Sequence, residues 1–200
     1  MIATTATGSG ILARLKAATR AEHDAIEAAL DLVGAGLTLE RYRRTLERFH
    51  GYYCPLEVAV RAVGGWADRG LDLSARHQTP LLGADLSALG VSAIELLPEC
   101  RELPQLDTPD ACFGCLYVLE GATLGGQYVS RHIRAALGVT PETGGRFFHG
   151  YGERTGAMWR AFGSALTAFA TDANRQHQVV SAAVETFRTL RSWCEQGPTT

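Results

Sequence analysis

The chain reads as an all-α single domain, and three observations predict it. Apolar residues recur at steps of three and four along most of its 200 residues. No stretch sustains a period of two, and Gly and Pro fall mostly where the periodic segments end. The length suits one domain around one substantial core. Apolar residues make up 46% and charged residues 20%, a globular balance that excludes wholesale disorder.

Helices are predicted at 11–33, 39–64, 79–97, 108–137, 154–172 and 175–195. In the first, Leu12, Leu15, Thr19, Ile26, Leu30 and Val33 share one face, and Gly34-Ala35-Gly36 stops it. In the second, Tyr42, Leu46, Phe49, Tyr53, Leu56, Val60 and Val63 repeat the pattern up to Gly64-Gly65. Thr108-Pro109-Asp110 opens the fourth and Gly138 closes it. The stretch 144–152, rich in Gly and aromatic residues, reads as a loop. Trp159, Phe162, Leu166 and Phe169 mark the next helix, and Val180, Val184, Phe187, Leu190 and Cys194 the last. Residues 1–10 are expected to form a flexible N-terminus ahead of a domain spanning 11–196.

A net charge of −2 with no strongly basic stretch leaves no nucleic-acid footprint. Met1 to Gly10 lacks the apolar core of a signal peptide, and no apolar run is long enough to span a membrane. A cytoplasmic protein is expected, without a nucleic-acid or membrane partner. Five cysteines, an odd number, do not make a disulfide framework. Cys112-Phe113-Gly114-Cys115 has the spacing of a redox pair or half a metal site. It lies in the fourth helix among apolar residues, however, so buried, inert thiols are expected. Of the other histidines, His50 reads as a satisfied boundary residue and His132 as exposed. His77, His149 and His177 read as connection, loop and helix-start residues. No repeated Glu-x-x-His motif supports a di-iron bundle.

Two segments carry chemistry. Lys16, Arg20, His23 and Glu27 are spaced four, three and four, and project within about 60° of one another on a helix. His23 falls on the border between this polar face and the apolar stripe. Such a face suits a flat, largely apolar ligand with an anionic edge: imidazole binds iron and cations hold carboxylates. A solvated face with one boundary histidine is the commoner meaning of such a stripe when the helix is taken alone. The fourth helix holds Gly121, Gly125 and Gly126, each costing about 1 kcal/mol of helix preference relative to alanine. About 3 kcal/mol is a sizeable part of a domain's net stability of about 5–15 kcal/mol, so a gain elsewhere is expected. Either another helix approaches closely, or the backbone bends and passes over a planar ligand.

The segment Leu15 to Glu27 resembles the proximal helix of heme oxygenases, and Tyr117 to Gln127 resembles their distal helix. Phe147-Phe148-His149-Gly150-Tyr151-Gly152, Trp159 and the ending Phe187 to Trp193 are similar to the bacterial members that accompany bacteriophytochromes. The resemblance implies heme b as both substrate and cofactor, held between the first helix and a kinked glycine-rich helix. It implies His23 as the iron ligand, with Glu27 beside it. Lys16, Arg20, Tyr117 and Arg160 fall at propionate-binding positions, Gly121 and Gly125 at the catalytic distal face, and Gly126 and Phe187 among the heme contacts. The implied reaction takes O2 and opens heme at a meso carbon to biliverdin, releasing carbon monoxide and ferrous iron. An external reductant is implied (a ferredoxin, a flavoprotein reductase or a small reductant), as is a bacteriophytochrome to receive biliverdin. One departure stands out. Animal-type members carry an aspartate where this chain has Ala122, which leaves Thr123 and Gln127 as polar candidates. The same departure supports an alternative, a non-catalytic heme carrier or sensor.

Overall fold

Seven α-helices and five short 3-10 turns carry residues 10–196, which this computed structural model describes, and no strand occurs among them. The expected flexible segment, all but Gly10, lies outside the described residues. The helices are α1 (Ile11–Leu30), α2 (Leu39–Ala62), α3 (Thr79–Ala88), α4 (Pro109–Leu137), α5 (Arg146–His149), α6 (Thr155–Phe169) and α7 (Ala173–Glu195). No helix among these residues is long and apolar enough to cross a membrane.

α4 is the axis. Thr108 caps it, accepting a hydrogen bond from the Ala111 amide, with Pro109 at the first helical position. Gly138, in the left-handed region at φ 70°, ends it. α4 packs along α7, α7 in turn along α1, and α5 and α6 close on α4 from other sides. At Gly114 the approach of α4 and α7 leaves no room for a side chain: a Cβ would stand 2.3 Å from the Val179 carbonyl oxygen. One residue earlier, Phe113 stacks on Phe169 with centroids 4.4 Å apart.

Several boundaries differ from the sequence reading by two or three residues, α6 ending at Phe169 rather than 172 among them, and three differences have a clear physical cause. α1 stops at Leu30 rather than 33, because Asp31 itself adopts the left-handed conformation at φ 44°. Asp and Asn tolerate that region. The Asp31 carboxylate accepts from Arg41, whose other guanidinium nitrogen donates to the Leu30 carbonyl. Val33, predicted to be buried, is therefore 42% exposed. α3 ends at Ala88 rather than 97, since Gly90 turns the chain at φ 84° and Val91 donates back to Leu86. The chain then makes a 3-10 turn (Ile94–Leu96) and a strap that crosses α2, where the Cys100 amide donates to the Gly51 carbonyl at 2.8 Å. The expected loop 144–152 contains α5. Buried Asp85 of α3 caps it, accepting from the amides of Arg146 and Phe147, both at 2.8 Å. Tyr42 of α2 donates to the Gly144 carbonyl just before it. These are long-range partners, beyond the reach of local sequence pattern.

Two histidines also depart from expectation. His50 is half-buried with its Nδ1 unpartnered, and burial lowers its pKa. His132 is half-buried, with Nε2 shielded and unpartnered, because α4 is still packed at this point beside buried Ile133.

Cys112 and Cys115 are buried as expected. Burial pushes the Cys112 thiol up to about 12, and pushes Cys115 above its ordinary value as well. A redox pair needs a lowered thiol pKa, so the dithiol reading has no support.

This packing has two testable outcomes. Gly114→Ala forces α4 away from α7 and costs about 1–3 kcal/mol, read as a Tm decrease of about 2–4 °C per kcal/mol by calorimetry. At pH 8 a thiol titrating near 12 is ionised at only about one part in ten thousand. Cys112 and Cys115 should therefore resist thiol reagents in the folded protein and react on denaturation, as peptide mass mapping would record.

Candidate functional site

α1 turns Ile11, Leu15, Thr19 and Ile26 into the core and leaves Lys16, Arg20, His23 and Glu27 on its open side. His23, which the sequence reading puts on the border of the apolar stripe, is half-exposed. It lies beyond the packed stripe, with one side of its ring against buried Phe187 of α7 at 5.9 Å, edge to face. Its Nδ1 faces Glu27 at 3.5 Å and Asp24 at 3.8 Å. The second ring nitrogen, Nε2, has no protein partner among the described residues. Donor atoms of His23, Asp24 and Glu27 lie within 4.8 Å of one another. An imidazole oriented through Nδ1 by carboxylates, with Nε2 left over, is the donor arrangement that metal-binding histidines use.

α1 carries two cations, Lys16 and Arg20, on the same open side as this histidine. Arg20 approaches Asp24 at 3.8 Å with both side chains exposed, an arrangement of small energetic weight. Lys16 on α1 and Arg160 on α6 are exposed, and neither makes a side-chain ion pair or hydrogen bond among the described residues.

α4 comes to the same place through Tyr117. Its hydroxyl hydrogen-bonds to Thr19 of α1, and its ring lies 5.8 Å from Trp159 of α6. Burial raises the Tyr117 pKa, partly offset by that hydrogen bond. One turn further on, α4 presents an open strip. Among the described residues, a Cβ on Gly121 would meet only the edge of Trp159 at 4.0 Å, and one on Gly125 would meet nothing within 4 Å. Leu124 and Tyr128, on the same strip, are 47% and 60% exposed. Large apolar groups beside two glycines that nothing crowds form the kind of surface a flat apolar ligand covers. Sequence reasoning missed Leu124 and Tyr128. Their signal was present, since 121, 124, 125 and 128 follow helical spacing.

The third glycine behaves differently. Gly126 is buried, and a Cβ there would stand 2.9 Å from the Phe148 carbonyl oxygen. It allows α5 to approach α4 from the far side and does not join the strip. Of the two polar candidates beside Ala122, Thr123 is buried and donates to the Glu120 carbonyl. Gln127 donates to the His149 carbonyl at 2.6 Å. Both are engaged away from the open strip. Ala122 is exposed, and α4 runs through the glycines as one unbroken α-helix.

Behind the strip lies a cluster that the sequence did not reveal. Buried Arg76 pairs with buried Glu120, which also accepts a hydrogen bond from the Tyr151 hydroxyl at 2.9 Å. Two shallow concavities of about 280 and 290 Å³ open elsewhere, one at Asp110 and Asp172, the other at His77, His149 and Tyr151. Neither touches His23.

Residues 9–196 match the family model described as Heme oxygenase. No curated protein matches the chain. Among solved structures, the NO- and CO-bound heme oxygenase of Neisseria meningitidis aligns with a TM-score of 0.78 at 21% identity, covering 96% of this chain and 95% of that one. The heme oxygenase of Leptospira interrogans aligns at 0.72 and 15% identity over 94% and 99%. Heme oxygenase-2 of Synechocystis sp. PCC 6803, in complex with heme and NO, aligns at 0.73 and 17% identity over 93% and 84%. At these identities the likeness establishes the fold, while the family match spans nearly the whole chain. The chain belongs to the heme oxygenase family.

Proposed function

We propose that this protein is an active heme oxygenase that binds heme between α1 and α4 and opens it to biliverdin, with release of carbon monoxide and ferrous iron. The observation that carries the reading is the pairing of His23, its Nε2 without a partner among the described residues, with an α4 strip on which Gly125 faces open space and Gly121 only the edge of Trp159. The donor set fits: one imidazole for iron, apolar Phe187, Leu124 and Tyr128 for the porphyrin faces, and Lys16, Arg20 and Arg160 for its carboxylates.

Bound heme supplies the iron that activates O2 and is itself the substrate oxidised. The remaining work belongs to the protein. His23 holds the group in register, and Glu27 and Asp24 at its Nδ1 orient the ring and raise its basicity. Phe187 braces the imidazole edge. The cations meet propionates at the rim, where solvent keeps each contact modest. Gly121 and Gly125 bring backbone, rather than side chain, against the porphyrin, while Leu124 and Tyr128 exclude water from its face. Ala122 offers no carboxylate and Thr123 and Gln127 are engaged elsewhere, so protons on this side come through water held by backbone groups. Electrons come from an external ferredoxin, flavoprotein reductase or small reductant. The resemblance of the 147–152 loop supports a bacteriophytochrome as recipient of biliverdin. Ala122 also favours a second reading, a heme carrier or sensor without turnover.

Titration with hemin should give a one-to-one complex. Reductant in air should then bleach its Soret band and yield biliverdin and carbon monoxide. A stable complex without bleaching identifies the carrier; absence of saturable binding removes both readings. His23→Ala should lower turnover by at least about 100-fold, since even partners of metal ligands carry 10–100-fold effects. Gly125→Leu fills the open strip and should weaken hemin binding by tenfold or more on a scale of about 1.4 kcal/mol per decade, with Tm little changed because a Cβ at this exposed position has no neighbour within 4 Å among the described residues. Lys16→Ala alone should weaken it only about fivefold or less, as exposed ion pairs contribute under about 1 kcal/mol.

A further inference from the structure

We propose that the buried Arg76–Glu120 pair, together with Tyr151, is a positioning device that sets where the Gly121–Gly125 strip of α4 stands against Trp159. The need for one arises from the sequence of α4. Gly121 and Gly125 present no side chain with which to key the strip against a neighbour, and glycine lowers local helix stability. Thr123 adds to this by donating to the Glu120 carbonyl at 2.7 Å, which competes with the helical hydrogen bond that the same carbonyl accepts. A soft turn of helix has to be held from somewhere else.

It is held from behind. Arg76 ends the 3-10 turn Ser74–Arg76 between α2 and α3, and its side chain is only 5% exposed. One guanidinium nitrogen donates to Glu120 and another to the Met158 carbonyl of α6, at 3.1 Å. The second carboxylate oxygen of Glu120 accepts from Tyr151, in the segment that links α5 to α6. Both ends of the device abut the site directly. Glu120 precedes Gly121, and Met158 precedes Trp159, whose ring a Cβ on Gly121 would meet at 4.0 Å. One side chain thus spans the two walls that Tyr117 and Trp159 bring together.

A buried ion pair adds little net stability over an apolar pair of the same volume, because desolvation offsets most of the attraction. What it adds is direction. The planar guanidinium admits few arrangements in which both acceptors are met, whereas an apolar pair would let α4 and α6 slide. Their side chains bond to one another and to the Met158 carbonyl rather than to His23, so they act on the strip through the backbone they hold.

The test uses Arg76→Met/Glu120→Leu, which conserves volume and leaves no lone buried charge, and Tyr151→Phe, which removes one hydrogen bond. The primary readout needs no ligand: amide hydrogen exchange of the purified protein, followed by mass spectrometry. In the double variant, peptides covering 120–126 should exchange at least about tenfold faster while those of α2 and α7 keep their rates, a local opening rather than a global one. Tyr151→Phe should accelerate the same peptides about threefold, a loss on the scale of one hydrogen bond, and serves if the double variant does not fold. Unchanged exchange at 120–126 in either folded variant overturns the proposal, and so does an acceleration spread evenly over all helices. A second readout rests on the heme reading: the C–O stretching band of the ferrous carbon monoxide complex should broaden or shift in the double variant. Hemin binding by the parent protein tests the function; exchange in the ligand-free protein tests the positioning.

Discussion

The close approach of α4 to α7 at Gly114 is the contact on which the rest is built. With a Cβ position only 2.3 Å from the Val179 carbonyl, the two backbones meet without intervening side chains. Phe113 and Phe169 then stack beside the contact, and on the same turns of α4 burial keeps the Cys112 and Cys115 thiols protonated. α7 carries α1 on its other flank, with Glu22 of α1 paired to Arg188 and Arg191. The distance from α1 to α4, and therefore the width of any site between His23 and the glycine strip, is set by how closely each helix sits on α7.

The glycines of α4 divide into two kinds, and the division explains how one helix serves packing and binding together. Gly114 and Gly126 lack side chains because another backbone occupies the space, that of α7 and of Phe148 respectively. Gly121 and Gly125 lack them with no protein neighbour to demand it. Loss of helix preference is the same at all four. Only at the first two does packing within the fold offset it.

Charge follows a similar division. On the open side, Lys16, Arg20 and Arg160 remain in water, where they contribute little to folding and stay available to a carboxylate. Behind α4, the carboxylates of Asp85 and Glu120 are buried, and burial raises both pKa values even though amide, guanidinium and hydroxyl donors pull them down. Each is tied to a donor on a distant element: the amides that open α5 for Asp85, Arg76 and Tyr151 for Glu120. Such ties select one arrangement of the short segments around α4 more than they add to net stability.

Much of this was legible in the residues alone. Periodic apolar spacing determined the long helices, Thr108 and Gly138 determined the ends of α4, and the four, three, four spacing placed Lys16, Arg20, His23 and Glu27 on one face. These are local properties, written within one or two helical turns. Tertiary structure decided the remainder, because it depended on partners far away in the chain. Asp85 capping residues 146 and 147 made a helix of an expected loop; a left-handed Asp31 shortened α1; packing against α5 removed Gly126, Thr123 and Gln127 from the open strip. Nor could spacing reveal that Arg76, in a short connection, reaches Glu120 some 44 residues later. A helical face follows from periodicity, but what that face meets is decided only when the whole chain is packed.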